Sequence, residues 1–284
     1  MVSSTILVSL FASLAVARRP GRRQGSGTIT CPITLDGRVP VDTELADFDS
    51  YATSPFNPDY IRGDESFSET LLFPDVPNSR FDDEGFKSVE VTISDLSIFQ
   101  EQNGFRRIGL QIQGDENEGG PGTVGVKTLH WSVKQDPART FNLTHETYGM
   151  RRARYDGNQF NFETGTIIGR PGNENTFKIL DRQNTEVWST PIDESEWQNF
   201  AVTLDFEQNT LQVYYSVGDT PLEAVTEALS NNNAGEGQYQ IGILKKPTGT
   251  DDVVNSGYQE TGIDEGQIYG SIFLEDSSDG CVSL

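Results

Sequence analysis

Two neighbouring segments of this chain alternate apolar and polar residues, and their polar positions carry side chains that could bind hydroxyl groups. The segments run from Asn103 to Gly114 and from Val124 to Lys134. A period of two is typical of a β-strand with one buried and one polar face. Flat donors and acceptors on such a face suit sugar hydroxyls, although an ordinary solvated sheet face would show the same alternation. The polar residues predicted to bind sugar are Arg107, Gln111, Gln113 and His130.

Paired carboxylates are the second feature that could do chemistry. Glycoside hydrolysis needs two of them across one cleft, about 5 Å apart for retention and further apart for inversion. The chain has 43 acidic residues, so most must be solvated surface charges. Glu146 stands out because it follows His145 in a predicted strand and shares a strand face with Tyr148. We predict Glu146 and His145 as catalytic residues and Tyr148 as a sugar contact, although only one of the first two can face a cleft unless a bulge intervenes. Other candidate carboxylates include Glu101, Asp115, Glu116, Glu163 and Asp264.

Other chemistries find no support in the sequence. The two histidines, His130 and His145, lack metal-ligand spacing, and no HExxH motif occurs, so neither a metal nor a cofactor is predicted. A lone histidine on a strand can equally be a hydrogen-bonded structural residue. No GxSxG motif indicates a serine hydrolase. The formal net charge of -22 argues against nucleic-acid binding, which requires a basic surface.

The N-terminal residues predict secretion. An apolar run from Ile6 to Val16 is followed by alanine in a pattern typical of a signal peptidase site, and it falls short of the roughly 20 residues that span a membrane. We assign residues 1–17 to a signal peptide and residues 18–30, with two Arg-Arg pairs, to a candidate pro-segment and linker. We therefore expect an extracellular monomer with no membrane partner. The sequon at Asn142 predicts glycosylation at the surface.

The chain has two cysteines, Cys31 and Cys281, at the two ends of the predicted mature protein. In a secreted protein an even pair predicts a disulfide. Such a bond closes a loop of about 250 residues and would stabilise the fold by at most roughly 5 kcal/mol. It also requires the first and last strands to lie side by side, as they do in an antiparallel sandwich.

Strand signals recur along the chain, whereas helix signals are nearly absent. The best helix candidate, Leu222 to Leu229, is as compatible with an extended segment. Because no composition break divides the chain, we predict one all-β domain over residues 31–284, an antiparallel two-sheet β-jelly-roll sandwich with a concave binding face. The predicted strands are Ser88–Ile93, Phe105–Gln113, Lys127–Val133, Thr144–Met150, Thr164–Ile168, Phe177–Asp181, Glu186–Pro191, Gln198–Phe206, Thr210–Ser216, Gln238–Leu244 and Gln267–Glu275.

Several segments together resemble glycoside hydrolase family 131, and the resemblance covers Cys31 to Leu284. It implies a fungal, secreted β-jelly-roll protein that acts on β-glucan polysaccharides with β-1,3, β-1,6 and β-1,4 linkages. The segments are LDGRVP (35–40), SPFNPDYI (54–61), NGFRR (103–107), GVKTLHWSVKQDP (125–137), NLTHE (142–146), WQNFAVTLDF (197–206), NTLQVYYS (209–216), YQIGILKKPTG (239–249) and GIDEGQIYGSIFLEDSSDGC (262–281).

The resemblance also implies a catalytic glutamate two residues after the second arginine of the Phe-Arg-Arg motif, where this chain has Gly109. Glycine cannot transfer a proton. Three hypotheses follow. The protein is a β-glucan hydrolase that uses Glu146 with a rim-loop acid such as Asp115 or Glu116, or a weak or inactive paralogue that binds β-glucan, or a cell-wall structural protein without a cleft.

Overall fold

The computed structural model describes residues 27–117, 119–153, 157–170 and 172–284. The predicted signal peptide and the Arg-Arg pairs lie outside these residues. In the described part of the chain no helix is both long and apolar enough to cross a membrane. Short 3-10 helices cover Leu45–Asp49 and Pro121–Thr123, and one short α-helix, α1, covers Phe67–Thr70.

All other regular elements of these residues are strands, and every pairing between them is antiparallel. In chain order they are β1 (Ile33–Asp36), β2 (Val39–Pro40), β3 (Leu71–Leu72), β4 (Phe86–Lys87), β5 (Val89–Ser94), β6 (Arg106–Leu110), β7 (Val126–Lys134), β8 (Glu146–Ala153), β9 (Phe160–Gly165), β10 (Thr176–Leu180), β11 (Glu186–Pro191), β12 (Gln198–Asp205), β13 (Thr210–Val217), β14 (Glu223–Ala224), β15 (Leu229–Ser230), β16 (Gln238–Lys245) and β17 (Asp264–Asp276).

Two large sheets make up the sandwich. The first has the order β14-β13-β12-β7-β17-β5-β3, with β1 paired to β17 and β15 paired to β13. The second has the order β11-β10-β9-β8-β16-β6, and β2 and β4 form a separate small ladder. The arrangement confirms the predicted all-β, antiparallel two-sheet jelly-roll. The helix candidate at residues 222–229 is extended and contributes to β14 and β15.

Aromatic side chains fill the space between the two sheets. Trp131 of β7 stacks on Phe200 of β12 with ring centroids 5.4 Å apart, and Phe162 of β9 contacts both rings from the opposite sheet. All three are almost fully buried. Strand alternation places Trp131 on the core side, as its parity with Leu129 and Val133 predicts. The tryptophan therefore stabilises the core and is unavailable as a sugar platform.

The two polar strands of the opening motif, β6 and β7, do not share a sheet. β6 is the edge of the six-stranded sheet, whereas β7 lies in the middle of the nine-stranded one. The polar side of β7 is also covered, because Phe81 and Phe273 pack against His130 there. His130 is fully buried and lies 2.9 Å from Glu275. Its assignment as a sugar contact is corrected: it is a structural residue of the opposite sheet.

The ends of the domain meet as the cysteine positions predict. Cys31 and Cys281 form a disulfide, and β1 pairs with β17 beside it. The last residues are also held by polar contacts, since the Ser283 hydroxyl donates to Glu275 and Arg80 donates to the carbonyl of Leu284. The disulfide therefore closes the sandwich where the first and last strands run side by side.

Candidate active site

The candidate site lies on the outer face of the six-stranded sheet, which is the face turned away from the core. Alternate residues of β6, β16, β8 and β9 point outward, and they are mostly polar. Their inward neighbours, such as Ile108, Ile241 and Phe162, belong to the core. The outward residues that matter below are Arg107, Gly109, Gln111, Gln238, Gln240, Tyr148, Arg151 and Glu163, with Glu146 and Lys246 at one end.

Two carboxylates meet on this face. Glu146 pairs with Gly165 and Tyr148 pairs with Glu163 across the β8–β9 ladder, so the two glutamates are diagonal neighbours. Diagonal neighbours on one face of a sheet are about 7–8 Å apart, which is close enough for their side chains to share one cleft. Both glutamates line one pocket of about 270 Å³, together with Tyr148 and Lys246.

Glu146 contacts a cation and a backbone donor. Its carboxylate pairs with the ammonium of Lys246 and accepts a 2.6 Å hydrogen bond from the backbone N–H of Ile168. The residue is buried, so these contacts replace water around the charge. The Lys246 ammonium also donates to the Tyr148 hydroxyl at 2.8 Å, which fixes the lysine between the two side chains.

Glu163 has the opposite character. Burial, and then the negative charge of Glu146, raise its pKa to about 7, while Lys246 and Tyr148 offset part of the rise. Glu163 is therefore protonated in a weakly acidic medium, whereas its neighbour is paired with a lysine. Two carboxyl groups in such different environments are the arrangement by which one can donate a proton while the other stays ionised.

The predicted sugar contacts on β6 differ in their availability. The Arg107 guanidinium donates to Gln102 at 2.9 Å and more weakly to Gln240. The Gln111 amide donates to Gln238 and to the carbonyl of Asp115. Gln113 lies beyond β6, and its amide donates to the carbonyls of residues 51 and 54, so it anchors that loop. Arg107 and Gln111 share the outer face with Tyr148, whereas Gln113 lies at the rim of that face and holds the loop of residues 51–54.

His145 does not enter the pocket. Strand alternation turns it away from Glu146. Its Nδ1 lies 2.7 Å from the carbonyl oxygen of Lys246 and its Nε2 lies 3.0 Å from Glu260. The assignment of His145 as a catalytic residue is therefore corrected: the buried imidazole holds the backbone of the lysine that pairs with Glu146 and the loop that carries Glu260.

The rim-loop acids are also not partners of Glu146. Asp115 is buried, and its carboxylate accepts a 2.6 Å hydrogen bond from the backbone of Tyr239. Tyr239 precedes Lys246 by seven residues along β16, which corresponds to about 20 Å. Glu116 follows Asp115 and is exposed. The second carboxylate near Glu146 is Glu163.

The asparagine of the predicted sequon is half-buried at the start of β8. Its side-chain N–H donates to Glu260 at 2.8 Å, and its oxygen accepts from the hydroxyl of Thr144. Glycosylation of Asn142 stays a prediction.

Gly109 lies on the outer face directly opposite Gly242 of β16. A Cβ built on Gly109 would lie 3.2 Å from the Cβ of Ile61, which covers this part of β6 through a hydrogen bond from the Gly109 N–H to the Ile61 carbonyl. The space beside this glycine is therefore already taken by the segment that ends at Ile61.

Gly109→Glu is expected to destabilise the fold by about 1–3 kcal/mol, because the Ile61 segment must shift to admit the new side chain. Urea unfolding would measure the loss. Gly109→Ala is the matched variant, since it adds the same Cβ without a charge, and it should account for a large share of the loss. Wild-type stability in both variants would contradict the close packing of Ile61 on Gly109.

Sequence reasoning gave little weight to Glu163 and missed Lys246 and Arg151. The sequence predicts strand β9 at Thr164–Ile168, whereas it covers Phe160–Gly165. The prediction therefore misses the alternation in which Phe160 and Phe162 face the core and Glu163 faces outward. That Phe-Asn-Phe-Glu pattern is a period-two signal that could have identified Glu163. The pairing of Glu146 with Lys246 joins residues 100 positions apart, and no local pattern predicts it.

Comparison with known proteins agrees with the fold. The family model described as the glycoside hydrolase 131 catalytic N-terminal domain matches residues 33–280. The chain is similar to the catalytic domain of a β-glucanase of that family from Podospora anserina, with a TM-score of 0.71 and 21% identity over 88% of this chain and 97% of the other. It is also similar to a family 131 catalytic domain from Coprinopsis cinerea, with a TM-score of 0.69 and 22% identity over 86% of this chain and 94% of the other. A search of curated proteins finds no match. The family match covers most of the chain, and this protein belongs to glycoside hydrolase family 131.

Proposed function

We propose that this protein is a secreted β-glucan hydrolase that cleaves β-1,3, β-1,6 or β-1,4 linkages with Glu163 and Glu146. The observation that carries the proposal is the shared pocket, in which a carboxyl group with a pKa of about 7 lies beside a carboxylate paired with lysine. Family membership supports the substrate class at the level of β-glucanase activity.

In the proposed reaction, Glu163 donates its proton to the glycosidic oxygen as the bond to the anomeric carbon breaks. Glu146 stabilises the positive charge that develops on the sugar ring, and a water molecule adds to the anomeric carbon while its proton restores the acid form of Glu163. Lys246 donates a hydrogen bond to Glu146, and the Tyr148 hydroxyl holds the lysine in place. Each group thus has one role, and neither role requires a side chain at Gly109.

A second candidate function is β-glucan binding without cleavage. The observation in its favour is that both Glu146 oxygens already accept hydrogen bonds, from Lys246 and from the Ile168 N–H. A carboxylate so engaged is less free to activate water. Gly109, where the family resemblance implies a glutamate, favours the same interpretation.

One experiment separates the two functions. Purified protein would be incubated with laminarin, a mixed-linkage β-glucan and a cellulose oligosaccharide, and released reducing ends would be measured beside retention on insoluble glucan. The hydrolase proposal expects new reducing ends on at least one substrate. Retention without any release would overturn hydrolysis and leave the binding function.

Hydrolysis is expected to fall as the pH rises through about 7, because the proposed acid must be protonated and burial raises the pKa of Glu163 to that value. Below this value the protonated fraction is near one, so the alkaline side of the pH–rate profile reports Glu163. The measurement is kcat/KM on laminarin across this range, with the fold monitored by circular dichroism. A rate that stays constant well above pH 7 in folded protein would contradict an acid role for Glu163.

A further inference from the structure

Two arginines lie side by side on the outer face, next to the carboxylate pocket. Arg107 comes from β6 and Arg151 from β8, and both reach across to Gln240 of β16 between them. Arg107 is more than nine-tenths buried. They line a small depression where Gly109 and Gly242 face each other and leave the sheet without side chains.

Among the described residues neither arginine of this pair forms an ion pair; burial lowers the pKa of Arg151, and Glu163 is near enough to offset part of that. Within the described residues no carboxylate lies within 4 Å of either guanidinium, although other buried cations of this part of the chain, such as Lys127 and Lys245, have carboxylate partners. Burial, and then the charge of Arg151, lower the pKa of Arg107 to about 9. Two like charges held together and partly removed from water are costly unless an anion joins them.

The hydrogen bonds of the pair lead to the same conclusion. The side-chain oxygen of Gln240 accepts three of their N–H groups, at 3.4 Å from Arg107 and at 3.0 and 2.7 Å from Arg151. An amide oxygen has only two lone pairs, and each guanidinium has five donors. The two arginines therefore offer more donors than these neighbours can accept, in a fork geometry that matches a carboxylate.

The size and position of the depression limit what the anion can be. The depression is open on one side and has room for about one water-sized group, about 20 Å³, so a group that projects from a sugar can enter it and a whole sugar ring cannot. Tyr148 lines both this depression and the pocket of Glu146 and Glu163, so the two are adjacent. A group that projects from one unit of a polysaccharide would reach the arginines while a neighbouring unit lies at the glutamates.

We propose that Arg107, Arg151 and Gln240 form a subsite for the carboxylate of an acidic sugar unit, of the glucuronic acid type, within a bound β-linked polysaccharide chain. This inference rests on the proposed function, because it assumes that a polysaccharide lies along the outer face. Tyr60 lies near the arginines, whose charges act on its hydroxyl, and this hydroxyl accepts a hydrogen bond from Gln238. The overall charge of -22 makes the site a local exception to a surface that repels anions.

The test compares two ligands that differ only in the proposed group. A neutral laminari-oligosaccharide and the same oligosaccharide oxidised to carry carboxylates at its primary carbons would be titrated calorimetrically at about pH 6, where the carboxylates are ionised. The carboxylated form is expected to bind about tenfold or more tightly, as charge-assisted hydrogen bonds to arginine allow. Equal dissociation constants in the wild type would overturn the proposal.

Variants assign the preference to the two arginines. Arg107→Gln and Arg151→Gln are each expected to remove most of the preference, measured as the ratio of the two dissociation constants within each variant. Arg106→Gln is the matched control, because Arg106 precedes Arg107 but does not line the depression, and it should keep the full preference. Because Arg107 is buried, the glutamine variant could lose the preference through misfolding. Arg107→Lys controls for this, because it keeps a positive charge and should retain part of the preference. A preference that persists in both glutamine variants would place the carboxylate elsewhere and overturn the proposal.

Two further comparisons distinguish a sugar carboxylate from a small free anion, and the subsite proposal from the hydrolase proposal. If acetate or inorganic phosphate binds as tightly as the carboxylated oligosaccharide, the arginines form a general anion site and the sugar assignment fails. A carboxylate preference in a protein that releases no reducing ends would overturn the hydrolase proposal and support the subsite. Hydrolysis of neutral glucan without any carboxylate preference would do the reverse.

Discussion

Glu163→Gln is expected to lower kcat/KM on laminarin by about 10²- to 10⁴-fold, the range that a general acid contributes. Glutamine keeps the size of the side chain and its buried position, but it has no proton to give to the leaving oxygen. Because the pKa of Glu163 is raised to about 7 by burial and by Glu146, the wild-type residue is protonated in weak acid and can act as the donor. The measurement is reducing-end release by purified variant and wild type at about pH 6.

An activated substrate distinguishes an acid role from a structural one. A dinitrophenyl β-glucoside has a leaving group that departs without a proton, so Glu163→Gln should hydrolyse it at close to the wild-type rate. Glu146→Gln should lose activity on both substrates, because the charge beside the anomeric carbon is needed in either case. Glu116→Gln is the control, since this exposed rim acid is far from the pocket, and it should match wild type on both. Equal losses of Glu163→Gln on the natural and activated substrates would contradict the acid role.

The local patterns of the sequence predict the fold well, because a strand with one apolar face shows its alternation of apolar and polar residues within a few positions. β11 has the bounds that its composition predicts, and the predicted strands Gln198–Phe206 and Thr210–Ser216 are the adjacent pair β12 and β13. Strand parity also placed Trp131 correctly in the core. These features depend on neighbours in the chain, which a sequence displays directly.

The candidate site was predicted less completely because it depends on which strands become neighbours. Alternation showed that both β6 and β7 have a polar side, but it could not show that only the first faces a cleft. Whether the polar side of β7 is solvated depends on Phe81, which lies 49 residues earlier in the chain and packs against His130. Likewise, Glu163 becomes a partner of Glu146 only through the register of β8 and β9. Such contacts follow from topology, and the sequence encodes them only through the fold.

The double variant Cys31→Ser/Cys281→Ser is expected to lose up to about 5 kcal/mol of unfolding free energy, because the bond joins residues 250 positions apart and restricts the unfolded chain strongly. Contacts such as that of Ser283 with Glu275 should still hold the last residues in the folded state, so the loss arises mainly from the unfolded ensemble. The outer face of the six-stranded sheet does not involve this bond, and activity at room temperature should therefore be retained. Urea unfolding with and without a thiol reductant measures the effect. Reductant should bring wild type to the stability of the double variant and leave the variant unchanged, whereas equal stabilities without reductant would show that the closure contributes nothing.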